Sequence, residues 1–435
     1  MNFKSVIGLK KNVLDVNLIK LVIYKKSRGE NIKSTRTEQH LIRKQHPMWK
    51  TIDYMCLMSK NLYNYANYIL RQEFTSTGKY IPYREMNRNL KTSDDYKNCM
   101  SQPANCTLRL LDRNWKSFFV TIKDWKVHKD KYLGIPKLPK YLNKDGRYIW
   151  MIPNNSCYLE DGEVKFRIRK LQNYRWKTNA KGRLIQVRFI PKGSCYIMEV
   201  VTEVELPDRE LKPVKNIASI DLGVNNFATI TNNIGKQPII INGKGVKSIN
   251  QFYNKQRAEL QSNLILRNGK HWSKELDNIT LKRNNRIKNF LHNASRFAVN
   301  YCIENEIDTL ICGLNKCWKQ ECKMSKTTKQ NFIEIPYDTF IDQLTYKCQE
   351  AGIRFLTTDE SYTSGTSFLD GEIPCKENYN KKRRIKRGLF QSGDYLINSD
   401  VNGSLQIMRK VFPNAISYGI EGGLTPVIIN VTKVA

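Results

Sequence analysis

Along WKTIDYMCLMSKNLYNYANYILRQEF, apolar positions recur at Ile52, Met55, Leu62, Ala66 and Ile69. Steps of three and four residues predict an amphipathic helix. Its tyrosines, Tyr54, Tyr63, Tyr65 and Tyr68, read as helix-packing residues, with base stacking as the alternative. The aromatic residues of TLRLLDRNWKSFFVTIKDWKVHK repeat at helical spacing and predict a second helix. From about residue 132 the texture changes. LGIPKLPKYL is proline-punctuated and irregular, and EVKFRIRK then alternates strictly. Val164, Phe166 and Ile168 fall on one face and Lys165, Arg167 and Arg169 on the other, the pattern of a half-buried strand with a basic outer face. RLIQVRFIPKGSCYIMEVVTEVEL predicts two strands joined by a turn at Pro191 to Ser194. Residues 132–206 therefore predict an antiparallel β domain, and residues 1–48 are basic and weakly periodic.

LPDRELKPVK reads as a linker. Beyond it NIASIDLGV, NFATITNN and QPIIING predict three strands, and a long helical region follows over about 247–305. Phe290, Ala294, Phe297, Ala298 and Tyr301 form its apolar stripe. A strand in DTLICGL, a helix in PYDTFIDQLTYKCQEAG and a strand in IRFLTTDE complete an alternation that argues for an α/β sheet.

Charge changes the picture. The 435 residues carry 73 Lys+Arg against 40 Asp+Glu, a formal net charge of +33. That excess implies a polyanionic partner, nucleic acid first. An apolar run near spanning length and a signal-peptide core are both missing from the pattern, so the expectation is a soluble intracellular protein with no membrane partner. The 11 cysteines contain no CxxC pair. Cys312, Cys317 and Cys322 fall five apart, which is not a zinc-ligand spacing; buried reduced thiols are the plain reading. The basic face of EVKFRIRK (Lys165, Arg167) and the run KKRRIKR (Lys381, Lys382, Arg383, Arg384, Lys386, Arg387) are candidates to hold phosphates. A solvated surface is the competing reading of each.

Two carboxylates are candidates for chemistry. Asp221 ends the apolar run NIASI, where a charge is costly unless paired or metal-bound. Asp400 lies in LINSDVNGSLQIMRK, where Asn398 or Ser399 can cap a helix and Asp400 could itself be the cap.

SIDLGVNNFATIT resembles the first RuvC motif and INSDVNGSLQIMRK the third. With NKCWKQ and NFIEIPYDTFIDQLTYKCQEAGIRFLTTDESYTSGTSFLDG, they are similar to TnpB, the transposon-encoded RNA-guided nucleases related to type V CRISPR effectors. The resemblance covers roughly 215–412; residues 1–205 match in layout only. It implies a multidomain α+β protein with an N-terminal β-barrel wedge, an inserted helical recognition domain and a C-terminal RNase H-like (RuvC) domain. The expected boundaries are 1–48 for the basic wedge segment, 49–131 for the recognition domain and 132–206 for the barrel. The nuclease domain would span 207–412, with an insert at 361–395, and 413–435 would be a tail. The implied activity is Mg²⁺-dependent endodeoxyribonuclease action with two metal ions, directed by a guide RNA from the transposon end. The target would be double-stranded DNA beside a short flanking motif, in the bacterial cytoplasm.

The chain departs from its relatives in two places. Where most carry a middle glutamate, DTLICGL has Gly313. Loss of the ligand would leave an RNA-guided binder that does not cut. Relocation is the favoured reading: Glu360, at the end of the neighbouring strand, could span the gap of about 4.8 Å between strands. The expected catalytic and metal set is then Asp221, Glu360 and Asp400. The second departure lies in YTSGTSFLDG and RGLFQSGD, which stand where relatives have CxxC pairs. With only Cys375 nearby, no zinc site is expected, and Tyr362 and Phe368 are candidates to hold the insert by packing.

Overall fold

The computed structural model describes residues 19–21, 33–206, 211–314, 334–386, 388–415 and 424–431. Arg387, Cys317, Cys322 and most of the basic segment before residue 33 lie outside them. The chain divides into two units; Ile32–Leu206 forms one, and the described residues after 206 form the other together with a short strand, β1 (Ile19–Leu21).

In the first unit, α1 (Trp49–Thr77) and α4 (Ser101–Val127) pack together, with short helices α2 (Tyr83–Leu90) and α3 (Asp94–Cys99) between them in sequence. Leu62, Ala66 and Leu70 of α1 meet Leu108, Leu111 and Trp115 of α4 in one core. The buried Trp115 donates its indole N–H to Asn67 Oδ1 at 3.0 Å, so neither polar group is stranded in the apolar interior. Of the four tyrosines expected to pack, only Tyr63 is buried; Tyr54, Tyr65 and Tyr68 are 42%, 39% and 52% exposed. At about 100° per residue, those three point away from the centre of the Ile52–Met55–Leu62–Ala66 stripe, Tyr68 furthest, whereas Tyr63 stands at its edge.

The β part of this unit has two sheets. β2 (Lys33–Ile42), β8 (Cys195–Glu205), β7 (Arg183–Lys192) and β3 (Trp150–Pro153) form a four-stranded antiparallel sheet in that order. β4 (Cys157–Glu160), β5 (Glu163–Phe166) and β6 (Arg175–Lys177) form a three-stranded one. Trp150, Val187, Phe189, Met198, Val164 and Phe166 share a core. The alternation in EVKFRIRK holds, with Val164, Phe166 and Ile168 buried, although strand pairing stops at Phe166. β2 was hidden within the weakly periodic basic segment. It is an edge strand and mostly polar, so it has no alternation to read.

The second unit is built on a seven-stranded sheet. Its strands are β9 (Ile217–Leu222), β10 (Asn226–Asn232), β11 (Ile239–Asn242), β12 (Thr309–Gly313), β13 (Arg354–Thr358) and β17 (Val427–Ile429), with β1 at an edge. Their order is β1-β13-β12-β9-β10-β11-β17. β9, β12 and β13 run parallel to one another, and β10 returns antiparallel between β9 and β11. The long helical region is two helices, α5 (Lys244–Asn268) and α6 (Lys274–Glu304), broken at Gly269 in the left-handed region (φ 64°).

Period two in the strands decides which side chains meet which helix. Ala218, Ile220, Leu222, Leu310, Cys312 and Phe355 join the core made with α6 and α7 (Tyr337–Ala351). Ile217, Ile311 and Leu356 point the other way and pack against Ile407, Met408 and Val411 of α8 (Ser399–Val411). Asp221 and Gly313 share that second face. A short three-stranded sheet, β14 (Arg384–Lys386), β15 (Leu389–Ser392) and β16 (Tyr395–Asn398), leads directly into α8.

Candidate active site

Asp221 is the penultimate residue of β9 and faces α8. It is only partly covered in surface terms yet sits deep among protein atoms. The helix comes close because position 403 is glycine: a Cβ there would stand 3.0 Å from Asp221 Oδ2. Ser219, two residues back on the same face, donates its hydroxyl to the Ser404 carbonyl at 2.7 Å and ties strand to helix.

Glu360 lies two residues past β13. Gly313 and Thr358 are register partners on β12 and β13, so the two strand ends are level. A Cβ at Gly313 would stand 2.9 Å from Glu360 Oε2 and 2.5 Å from Ile407 Cδ1. The Glu360 carboxylate therefore occupies space beside Gly313 that a larger residue would contest.

Asp400 is the second residue of α8. The cap is Asn398, whose Oδ1 accepts the N–H groups of Asp400 (2.9 Å) and Val401 (3.2 Å). The Asp400 carboxylate is thereby left for other partners. Asn226 Nδ2 donates to its Oδ2 at 2.6 Å, and Arg384 Nη2 stands 3.8 Å from its Oδ1.

The three groups are electrostatic neighbours. Burial pushes the Asp221 carboxyl well above the usual carboxylate range, and the charges of Glu360 and Asp400 add to the shift while Arg384 opposes it. Burial raises Glu360 to about 7, with Asp359 adding and Lys410 opposing. Negative charge gathered in a poorly solvated place calls for a proton or a cation. The donors are carboxylate and amide oxygens, hard ligands of the kind Mg²⁺ takes. Among the described residues no three His, Cys, Asp or Glu side chains stand closed around a common point. The donor chemistry fits a divalent cation, and the side chains would have to close on it.

Beside Asp400 runs a cleft of about 750 Å³ whose walls include Asn226, Lys244, Lys247, Arg384, Lys386 and Asp400. Lys244, Lys247, Arg384 and Lys386 in one cleft suit contact with a phosphate backbone. Of the basic candidates, Arg384 and Lys386 reach this cleft. Lys381 and Lys382 are exposed, and Arg383 is engaged within the insert by Asp370 (3.0 Å) and Glu372 (2.7 Å). In the other unit, Lys165 is paired with Glu160 at 2.6 Å, and Arg167 lies 5.1 Å over the Tyr158 ring.

The insert packs on α8. Phe368 is buried with Val401 and Leu405, under the Arg409 guanidinium at 4.0 Å. Tyr362 is 41% exposed and meets the Tyr379 ring edge-on. Polar contacts hold it as well: Asn402 bonds Phe368 N–H (3.0 Å) and the Thr366 carbonyl (2.8 Å), and the Ser367 and Ser392 hydroxyls bond each other.

Sequence reasoning did not single out Asn226, Gly403, Lys244, Lys247 or Lys410. Gly403 carried a signal, lying three residues after Asp400 on a predicted helix, where a glycine is costly without a packing reason. Asn226 stands in the sequence only as the first residue of the strand in NFATITNN.

A probable-transposase family model, OrfB_IS605, matches residues 199–318, and a Cas12f1-like TNB domain model matches residues 337–407. A solved Cas12f1–sgRNA–target DNA complex is similar in fold, with TM-score 0.51 and 15% identity over 82% of each chain. A CRISPR-Cas12f ternary complex aligns with TM-score 0.38 and 14% identity over 82% of this chain and 81% of that one, too weakly to bear on the fold. No curated protein matches. The two family matches and the mixed α+β fold support a TnpB-like family member.

Proposed function

Starting from a TnpB-like family member, we propose that the chain is an RNA-guided DNA endonuclease of an insertion-sequence transposon, acting in the bacterial cytoplasm. What carries this reading is the arrangement of Asp221, Glu360 and Asp400. They come from three separated stretches of chain and gather on the α8 side of one sheet, and Asp400 among them lines a cleft shared with Lys244, Lys247, Arg384 and Lys386. A nucleic-acid-binding protein without catalysis has no use for carboxylates that repel phosphates there.

In this reading the second unit is an RNase H-like (RuvC) nuclease domain, with 361–395 as an insert replacing a zinc ribbon. Residues 49–131 are a recognition domain, and the β sheets of 132–206, with the N-terminal segment, are the wedge. Guide RNA from the transposon end pairs with one DNA strand, so base pairing supplies sequence specificity. The protein reads heteroduplex shape and a short flanking motif. The net charge of +33 suits a chain that clamps both nucleic acids.

Asp221, Glu360 and Asp400 would hold two Mg²⁺ ions, which supply an activated water and neutralise charge on the leaving oxygen of the phosphodiester. Asn226 restrains the Asp400 carboxylate by its 2.6 Å hydrogen bond, so that ligand need not be ordered on binding. Gly403 and Gly313 provide the space in which Asp221 and Glu360 approach α8. Arg384, near Asp400, keeps a cation at the cleft wall, where a phosphate would pass.

The test is co-expression with the transposon end, sequencing of the RNA that copurifies, and incubation of matched DNA with and without Mg²⁺. Cleavage that needs both guide and Mg²⁺, and that Glu360→Ala abolishes while target binding survives, is the expected result. Target binding without cleavage by the wild type would make the chain an RNA-guided regulator. A Glu360→Ala variant that cuts like wild type would refute the relocated glutamate.

A further inference from the structure

We propose that Lys410 is the positioning residue that aims Glu360 at Asp221 and Asp400, a role that rests on the metal site proposed above. The Lys410 ammonium stands 3.3 Å from Asp359 Oδ1 and donates to the Ser361 carbonyl at 3.1 Å. It thus holds the two residues that flank Glu360 in sequence. Asp359 Oδ1 also accepts the Ser361 N–H at 2.9 Å, closing a small loop around position 360. On the far side, Thr363 donates its hydroxyl to the Glu360 carbonyl at 2.8 Å. The next residue, Tyr362, is in the left-handed region at φ 69°, a conformation unfavourable to a tyrosine and sustained by these contacts.

The geometry has a direct consequence. β13 ends at Thr358, so the strand register among the described residues stops before Asp359 and Glu360. Neighbouring side chains of an extended segment point to different sides, so a fixed Asp359 restricts where Glu360 can point. Lys410 holds Asp359 at 3.3 Å while the Glu360 carboxylate takes the space beside Gly313. Lys410 is in the last turn of α8, and Asp400 is in the first, about 15 Å away along the axis. One helix therefore sets two of the three carboxylates, one as its own side chain and one through a lysine. A phosphate contact is a poorer account of Lys410, because its side chain is 15% exposed and its ammonium already has two oxygen partners.

The experiment uses the guide-loaded protein with Lys410→Ala, Lys410→Arg, Asp359→Asn and Glu360→Gln beside wild type. Mn²⁺ binding is read from the free-ion EPR signal, cleavage is followed against Mg²⁺ concentration, and target-DNA affinity is measured separately. Lys410→Ala should weaken Mn²⁺ binding and raise the half-saturating Mg²⁺ by about tenfold, the usual scale for losing a group that orients a ligand. DNA affinity should be unchanged, and Lys410→Arg should recover most of the loss, since a guanidinium can bridge the same oxygens. Asp359→Asn cuts the same link from the other side and should move Mn²⁺ binding in the same direction, which serves if Lys410→Ala fails to fold. Unchanged Mn²⁺ binding in both variants, or a loss that appears in DNA affinity instead, overturns the positioning role. Wild-type protein that binds no Mn²⁺, or a Glu360→Gln variant that binds and cuts like wild type, removes the metal site itself and this role with it.

Discussion

Gly313→Ala puts one methyl group into the space shared by Ile407 and the Glu360 carboxylate. Its Cβ would stand 2.5 Å from Ile407 Cδ1 and 2.9 Å from Glu360 Oε2, where ordinary contact begins at 3.4 Å. Ile407 must retreat by roughly 0.9 Å and the carboxylate by roughly 0.5 Å, taking those gaps against that contact distance. Ile407 is fully buried, so its retreat is overpacking and should cost about 1–3 kcal/mol. A misplacement of about 1 Å can cost about a hundredfold in rate, so half of that predicts roughly a tenfold slower cut. Ile407→Val removes the Cδ1 atom and separates the effects: the double variant should recover stability beyond the sum of the single changes and remain slow. Urea unfolding and single-turnover cleavage on guide-loaded protein read the two quantities. Gly313→Ala that cuts at the wild-type rate would show that the Glu360 carboxylate does not work beside position 313. A double variant that recovers rate together with stability would refute the separate clash with Glu360.

Two further outcomes are expected. Asn398→Ala removes the oxygen that caps α8 and should cost about 0.5–2 kcal/mol of stability. It should also slow cleavage without weakening DNA binding, because Asp400 stands in the uncapped turn; equal stability in a urea titration would show that another group caps the helix. Lys347 is held near 8 by burial and by the neighbouring Arg296 charge, below the unfolded lysine value. Its neutral form is favoured in the fold, so its contribution to stability rises with pH between about 8 and about 10.4 and is least below that window. Lys347→Met should flatten this part of the wild-type pH profile; parallel unfolding profiles for the two proteins would refute it.

α1 and α4 of the first unit, and β9 to β13 with α6 and α7 of the second, were legible because their apolar patterns are strong; the short α2, α3 and β14 to β17 were not. β2 was not, since a polar edge strand buries too little to alternate. Of the α1 tyrosines expected to pack, Tyr54, Tyr65 and Tyr68 are exposed, because their angular positions lie off the apolar stripe. Asp221 and Asp400 stood out in their motifs, but Asn226, Gly403 and Lys410 did not, because each makes its contact with a residue far away in the chain.

What the sequence determined by itself was local: which residues alternate or repeat, where acids stand at element ends, how strongly the chain is charged, and that Gly313 stands where a carboxylate was expected. The tertiary structure decided what stands beside that glycine. Parallel pairing levels Gly313 with Thr358, alternation gives β9, β12 and β13 a common α8 face, and α8 closes on that face through Gly403. Distances between side chains 47 residues apart in sequence, such as Gly313 and Glu360, depend on register and helix docking, which no local pattern encodes.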